Sequence, residues 1–290
     1  MAARRIVVET RRELTEGSAA VITPAQVDVV FTINDSGHDA MLFAVDTGGR
    51  DRGAWRVENA TNVDWEAAAH GPCGPRPVAL DSSRVVPESC LYIADVGDND
   101  EHRNDLLLYR VPEPIALAPG ATGVLVAQRL RLRYEDGPHD VEAMVVGPAG
   151  DTYFFTKRAR RDGARLRPSL VFHVPASAWE IDSLIPARLV DSLPIVPGST
   201  DGRLVTDAAR SLDGRYVAVR TYDDVYIFSA DSASGRPGVR RPHTQCRVGG
   251  LERGYGEGIA WFGRSGELLL THEGRRAPMY VIRCPLPAAP

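Results

Sequence analysis

The sequence contains no long apolar run, and this absence narrows its class. None of the 290 residues falls in an apolar stretch near the length needed to cross a bilayer. We therefore predict that the protein is not an integral membrane protein. The first ten residues include two arginines but no extended apolar region, so no secretory signal is predicted and a cytoplasmic location is expected. The formal charge of -4, without a basic and aromatic stripe, argues against nucleic-acid binding.

Cysteine is also scarce, with four residues in the chain and no C-x-x-C spacing, so a structural zinc site is not expected. Cys73 and Cys90 flank one loop and would form a disulfide in an oxidising compartment. In the cytosol, free thiols are favoured instead. The sequence leaves open the redox state of this pair and of Cys246 and Cys284.

The motifs of familiar enzyme classes are missing. There is no G-x-S-x-G elbow, H-E-x-x-H pair, phosphate-binding Walker loop or dinucleotide fingerprint. Lysine is nearly absent too, because Lys157 is the one lysine among 34 basic residues. An ammonium group changes its pKa with its surroundings far more readily than a guanidinium does, which makes Lys157 a candidate for chemistry.

Short apolar runs between turn residues are what the sequence does contain. Helical periodicity is nearly absent, whereas runs rich in Val, Ile, Leu, Tyr and Phe, such as residues 29–33, 106–111 and 152–156, alternate with Gly, Pro, Asp and Asn. This pattern predicts an all-β fold of many short antiparallel strands. No linker or change of composition divides the chain, so residues 1–290 are predicted to form one domain.

A short acidic motif repeats along the chain. It begins at Asp64 (DWEAAA), Asp140 (DVEAM), Thr206 (TDAA) and Gly256 (GEGIA), with a weaker copy at Glu16 (EGSAA). The copies are roughly 50 to 75 residues apart, a period that suits four-stranded propeller blades with variable loops. Five copies predict a five-bladed β-propeller.

The last predicted blade, residues 256–286, contains only three apparent strands. Residues 4–13 form an apolar segment that precedes the first motif copy and has no other partner. We predict that this N-terminal strand joins the last blade and closes the ring, which leaves no open sheet edge there.

The predicted topology gathers polar residues at one end of the propeller. Antiparallel pairing brings the start of each innermost strand close to the end of the second strand. About ten carboxylates would then crowd a narrow axis, where repulsion and burial require a counter-charge. Oxygen donors favour calcium, with magnesium or manganese not excluded. The predicted metal ligands are Ser18, Glu66, Glu142, Asp207 and Glu257.

Two further groups of residues are predicted around the same mouth. The candidate catalytic residues are Asp98, Glu273, Lys157 and Arg220. The candidate substrate-binding residues are Asp35, Asp95, Asn99, Arg103, Tyr222, His272 and Arg275. Arginines beside a metal would suit the oxygens of an anionic or phosphorylated small molecule. The alternative is a channel without metal, in which Arg220 and Lys157 neutralise the carboxylates.

Together with DVGDN, VPEP and SLDGRYVAVRTY, the acidic motifs resemble those of a group of bacterial β-propeller proteins, over most of the chain. More distantly, the layout is similar to that of the calcium-dependent apyrases, which are five-bladed propellers with calcium in the central channel, held by Ser and Glu of the innermost strands. The resemblance implies a calcium ring at Ser18, Glu66, Glu142, Asp207 and Glu257. Asp207 departs from it, because a hydroxyl residue is expected there.

These observations predict a calcium-binding propeller that hydrolyses a phosphate-bearing or other anionic small molecule, with a carboxylate such as Asp98 or Glu273 activating water. Two alternatives stay open at this stage. One is a non-catalytic module that binds a ligand or a protein and uses the ion only for rigidity. The other is a metal-dependent lactonase or biosynthetic cyclase, because one fold hosts many activities. The oligomeric state is not predicted.

Overall fold

The strands of this protein form where β-branched and aromatic residues alternate between two buried faces. In β6 (Ser89–Asp95), Cys90 and Tyr92 face one neighbouring sheet, whereas Leu91 and Ile93 face the sheet on the other side. Alternate side chains of a strand point to opposite faces, so a strand that is apolar at every position is buried on both faces. The predicted all-β class is confirmed.

A computed structural model describes residues 3–8, 11–74, 89–157, 161–162, 165–166, 168–196, 201–238, 241–251, 256–263 and 266–286. Within these ranges the first strands are β1 (Ala3–Ile6), β2 (Val29–Ile33), β3 (Met41–Asp46), β4 (Asp51–Glu58), β5 (Trp65–Pro72), β6, β7 (Leu106–Pro112), β8 (Thr122–Val126), β9 (Gln128–Tyr134), β10 (Val141–Val146) and β11 (Thr152–Thr156). The later strands are β12 (Arg161–Asp162), β13 (Arg165–Leu166), β14 (Leu170–Val174), β15 (Ile185–Ser192), β16 (Val205–Arg210), β17 (Tyr216–Thr221), β18 (Asp224–Ser229), β19 (Thr244–Arg247), β20 (Gly258–Phe262), β21 (Glu267–Thr271) and β22 (Met279–Arg283).

Most strands pair with their neighbours in sequence. The groups β16-β17-β18-β19 and β20-β21-β22-β1 are four-stranded and antiparallel throughout. In the group β2-β3-β4-β8 the outer strand β8 is parallel to β4. The groups β5-β6-β7-β9 and β10-β11-β14-β15 join through a parallel pairing of β9 with β15, which makes one eight-stranded sheet.

The apolar core lies between successive groups of strands. Phe31 and Trp55 of the first group pack with Trp65 and Tyr109 of the second. Corresponding clusters lie between each later pair of groups, and a fifth cluster joins the last group to the first. Sheets that pack face to face in the order of the sequence are the arrangement of a β-propeller, as predicted.

The described residues also contain two short 3₁₀ helices, Ala176–Glu180 and Asp201–Arg203. Among those residues no helix has the length and apolar character required to cross a membrane.

The four cysteines are paired in the structure. Cys73, which directly follows β5, forms a disulfide with Cys90 of β6, with Cα atoms 5.0 Å apart. Cys246 of β19 pairs with Cys284, which follows β22, across a Cα distance of 6.0 Å. The second bond therefore links two sheets. The sequence did not decide the redox state of either pair. Disulfides persist in oxidising compartments. The cytoplasmic location stays a prediction.

Candidate functional site

Irregularities in the innermost strands aim polar side chains toward the axis. The pairing of β5 with β6 skips Glu66, and the pairing of β10 with β11 skips Glu142. A residue skipped in this way forms a β-bulge, which redirects its side chain. Both glutamates are nearly fully buried, and so is Glu257, immediately before β20. The repeated motif therefore brings three glutamates to one place.

The third bulge changes one sequence-based assignment. The pairing of β16 with β17 skips Thr206, and Asp207 is back in register opposite Arg220. Thr206 thus stands at the bulge position of Glu66 and Glu142, where Asp207 was predicted. The carboxylate of Asp207 instead accepts backbone N–H bonds, at 3.4, 2.7 and 2.7 Å, from Ala20, Ala208 and Ile259. The residue at this bulge, Thr206, therefore carries a hydroxyl group.

A cavity of about 280 Å³ opens at this end of the axis. Eight of its lining residues were predicted from the sequence: Asp35, Glu66, Asn99, Glu142, Lys157, Tyr222, Glu257 and Glu273. Asp201 and Leu204 complete the lining, and the sequence reasoning did not select them. Asp201 lies in the short helix before β16, so its place at the mouth depends on a local turn that the motif pattern did not show.

Negative charge dominates the cavity. One carboxylate oxygen from each of Asp35, Asp64 and Glu66 lies within 4.8 Å of the other two. Asp64 belongs to the repeated motif but was not among the predicted ligands. Burial, followed by the nearby Asp35 carboxylate, raises the pKa of Asp64 to about 7. Burial and then the Glu257 carboxylate raise the pKa of Glu273 to about 7.

Burial also raises the pKa values of the three glutamates. Burial, reinforced by Glu142, holds the pKa of Glu66 well above its ordinary value. Burial does the same for Glu142 although Lys157 opposes it, and burial also raises the pKa of Glu257. Crowded carboxylates with raised pKa values keep protons unless a cation replaces them.

The partners of these glutamates differ. Glu66 accepts a hydrogen bond of 2.9 Å from the Ser18 hydroxyl, and Glu142 forms an ion pair of 2.6 Å with Lys157 Nζ. Glu257 Oε1 accepts a bond of 3.1 Å from the Tyr222 hydroxyl. Its Oε2 is buried and has no hydrogen-bond partner among the described residues. A buried carboxylate oxygen without a partner is costly, so this atom favours the binding of a further group.

Several predicted residues have structural partners outside the cavity lining. Arg220 is fully buried, donates to the carbonyls of Gly258 and Thr271, and lies 3.3 Å from His272 Nε2. Burial, then the Arg220 charge, lowers the pKa of His272 to about 3, so this imidazole is neutral. Arg220 therefore ties β17 to the last sheet.

The DVGDN segment is similarly engaged. Asp95 is fully buried, forms a 2.8 Å ion pair with Arg103 and accepts backbone bonds from Val63 and Asp64. Asp98 accepts a 2.6 Å bond from the Arg103 amide. These contacts fix the loop, and Asn99 is the residue of this segment that lines the cavity. Arg275 is exposed on the loop after β21.

Comparisons with known proteins give a fold likeness only. No protein-family model matches the chain. No curated protein matches it in sequence. Similar solved structures include the β-propeller domain of Cps50 (Swd1) from Myceliophteria thermophila, at 14% identity and a TM-score of 0.42, with 97% of this chain and 99% of that chain covered.

Two enzymes are also similar in structure. Glutaminyl cyclase from Myxococcus xanthus has 13% identity and a TM-score of 0.49, with 98% of this chain and 96% of that chain covered. A luciferin-regenerating enzyme has 10% identity and a TM-score of 0.47, with 97% and 95% covered. At such low similarity, none of these activities is transferred to this chain.

Proposed function

We propose that the protein binds a divalent cation in the acidic cavity, and that this ion is calcium. The observation that carries the proposal is the unpartnered, buried Oε2 of Glu257 beside two other buried glutamates. The expected carboxylate ligands are Glu66, Glu142 and Glu257. Ser18 and Thr206 would add hydroxyl oxygens from the same motif position.

The donor chemistry favours calcium. All five candidate ligands offer oxygen, and hard cations take such ligands, calcium with six to eight of them. Among the described lining residues Lys157 is the single cation, which leaves an excess of carboxylates for a metal to neutralise. The similarity of the acidic ring to that of calcium-dependent apyrases supports the same ion. It also supports a closed propeller of five blades, as does the pairing of β1 with β22.

Calorimetric titration with calcium tests the site, combined with elemental analysis of the purified protein. Wild type is expected to bind one equivalent, and Glu257→Gln is expected to bind at least about tenfold more weakly, because removing the charge of a ligand typically costs more than 1.4 kcal/mol. Asp100→Asn is the control, since Asp100 is exposed on the neighbouring loop. Equal affinity in wild type and Glu257→Gln would contradict the proposal.

The catalytic role that fits this site is hydrolysis of an anionic small molecule. Glu273 lines the same cavity, and its pKa of about 7 suits a general base. Arg103, predicted to bind substrate, and Arg220, predicted to be catalytic, are engaged elsewhere. Among the described lining residues, an anion would therefore rely on Lys157, together with the metal, for its binding. When bound, the ion supplies Lewis-acid polarisation of the scissile group.

A phosphoesterase, nucleoside diphosphatase and lactonase panel, run with calcium and with chelator, separates this role from its alternatives. Calcium-dependent turnover that Glu273→Gln abolishes, although calcium still binds, supports hydrolysis. Calcium binding without turnover of any substrate favours a non-catalytic module that recognises a ligand or protein. Turnover of a lactone alone favours the lactonase, and a biosynthetic cyclase would require an assay for ring formation.

A further inference from the structure

The only lysine of the chain lies inside the acidic cavity. Lys157 directly follows β11, and its side chain is 12% exposed. Its Nζ is 2.6 Å from Glu142 Oε1 and 6.0 Å from the centre of the Tyr222 ring. All other basic residues of the protein are arginines. The cavity thus contains the one compact, flexible ammonium group that the sequence provides.

Lys157 acts on the whole acidic cluster. Its charge opposes the rise in pKa of Glu66, Glu142, Glu257 and Glu273. One ammonium group thus partly neutralises four carboxylates, which come from β5, from β10 and from the group that contains β20 and β21. This is the electrostatic task that a bound cation would perform in the same cavity.

The ammonium group and a metal cannot share these carboxylates at low cost. A calcium ion bound to Glu142 would lie roughly 2.3 to 2.6 Å from its oxygen. With Nζ 2.6 Å from the same carboxylate, the two positive centres would be only a few ångströms apart. Repulsion between such charges is strong in a buried site, where water screens them little.

The attachment of Lys157 permits it to move away. Its backbone N–H donates to the Asp140 carbonyl at 2.9 Å, so the main chain is fixed at the end of the strand. The four-carbon side chain can still change rotamer and carry Nζ toward the open mouth. Displacement of the ammonium group therefore requires no change in the sheet.

We propose that Lys157 is a tethered counter-cation, which occupies the cation site when metal is absent and which a divalent ion must displace. This inference rests on the proposed cation site. It assigns Lys157 a regulatory role, because the ammonium group sets the calcium concentration at which the site fills. The ammonium group also favours divalent over monovalent ions, because a monovalent ion only replaces the single charge of the ammonium group that it displaces.

Calcium titration of wild type, Lys157→Met and Lys157→Arg tests the inference. Lys157→Met removes the competing charge at similar length, so its calcium Kd is expected to be about tenfold lower than that of wild type, within the usual range for coupled binding. Lys157→Arg keeps the charge and is expected to stay much closer to wild type. If wild type binds calcium and Lys157→Met binds it equally or more weakly, the inference is wrong.

The outcomes separate this inference from the proposed function. If neither wild type nor Lys157→Met binds calcium, the proposed cation site fails and the competitive role fails with it. If Lys157→Met alone binds calcium, both are supported, because the ammonium group then fully blocks the native site under the conditions used.

A second measurement tests the inference on the wild-type protein, with one variant for comparison. An amine-acylating reagent can be followed by mass spectrometry at Lys157 in the wild-type protein, with calcium and with chelator. Displacement is expected to speed acylation several-fold, whereas Glu142→Gln, which lacks the ion-pair partner, is expected to show little calcium effect. Unchanged or slower acylation of wild type with calcium would overturn the inference.

Discussion

The two ends of the propeller axis are built from the same innermost strands but have opposite character. At the mouth, β5 and β10 contribute Glu66 and Glu142 to a cavity of about 280 Å³. Toward the other end the same strands contribute Ala68 and Val145 to a second cavity. The volume of this cavity is only about 20 Å³. The second volume is close to what one water molecule needs.

Side-chain size explains the difference. Ala20, Ala68, Ala208 and Ala260 line the narrow end, so the inner strands can approach the axis closely there. At the mouth, β-bulges place longer acidic side chains in the same space, and these require a counter-charge. The comparison teaches that the narrow end serves packing, whereas the mouth is the place that can take a ligand.

Asp207 gives the largest expected effect, because its buried carboxylate does not line the acidic cavity and instead accepts a hydrogen bond from Ala208, which lines the narrow end. Three backbone N–H groups donate to its carboxylate, from Ala20, Ala208 and Ile259. Asp207→Ala would leave these buried donors unsatisfied, and each costs about 1 to 3 kcal/mol. We expect the free energy of unfolding to fall by about 3 kcal/mol or more, as measured by denaturant titration.

Two variants show whether this loss is specific. Glu257→Gln should cost much less stability, because one of its carboxylate oxygens has no described partner to lose. Asp100→Ala, at an exposed loop position, should change the free energy of unfolding by less than about 0.5 kcal/mol. A loss in Glu257→Gln as large as in Asp207→Ala would erase the distinction between the two ends.

Overpacking the narrow end should have an intermediate effect. Ala208 is buried and lines the narrow passage, so Ala208→Leu forces extra methyl groups between strands that already touch. The expected loss is about 1 to 3 kcal/mol of unfolding free energy, without a change in calcium affinity. Ala118→Leu, at an exposed loop position, is the control. Weakened calcium binding in Ala208→Leu would mean that the two ends are coupled.

The all-β fold and much of the mouth could be predicted because short apolar runs between turn residues and a repeated acidic motif are local features of the sequence. Glu66, Glu142 and Glu257 line the cavity for that reason. The assignment of Asp207 was shifted by one residue, because a β-bulge is a property of strand pairing. From sequence alone, Thr206 and Asp207 are equally close to the motif position.

Pairing partners were the other unpredictable feature. Arg103 was expected to bind substrate, yet its guanidinium is paired with the buried Asp95 eight residues earlier. Arg220 was expected in the catalytic group, yet it donates to carbonyls in another sheet. Long side chains can reach several partners, and only the tertiary arrangement decides between them.

The pH dependence of stability offers the smallest effect and involves the carboxyl groups of the mouth, together with the buried Asp207, whose pKa burial also raises. A carboxyl with a raised pKa in the folded state stabilises the fold while it is protonated, and this contribution is lost as pH rises through the folded pKa. Asp64 and Glu273, with pKa values of about 7, and Glu66 and Glu142, whose pKa values burial also raises, therefore predict falling stability from pH 6.5 to 8.5 in chelator.

The window begins at pH 6.5 because His70 and His272, with pKa values lowered to about 4 and about 3 by burial, give the opposite slope below it. The melting temperature should fall by about 2 to 4 °C across the window, which corresponds to roughly 1 kcal/mol for a chain of this size. Calcium should reduce the dependence of melting temperature on pH, because it replaces protons as the counter-charge. The Glu66→Gln/Glu142→Gln double variant should also reduce it, because it lacks two of the titrating carboxyl groups. A melting temperature that rises with pH in chelator would show that the mouth carboxylates are neutralised within the protein itself, and the contrast between the two ends would then lose its electrostatic basis.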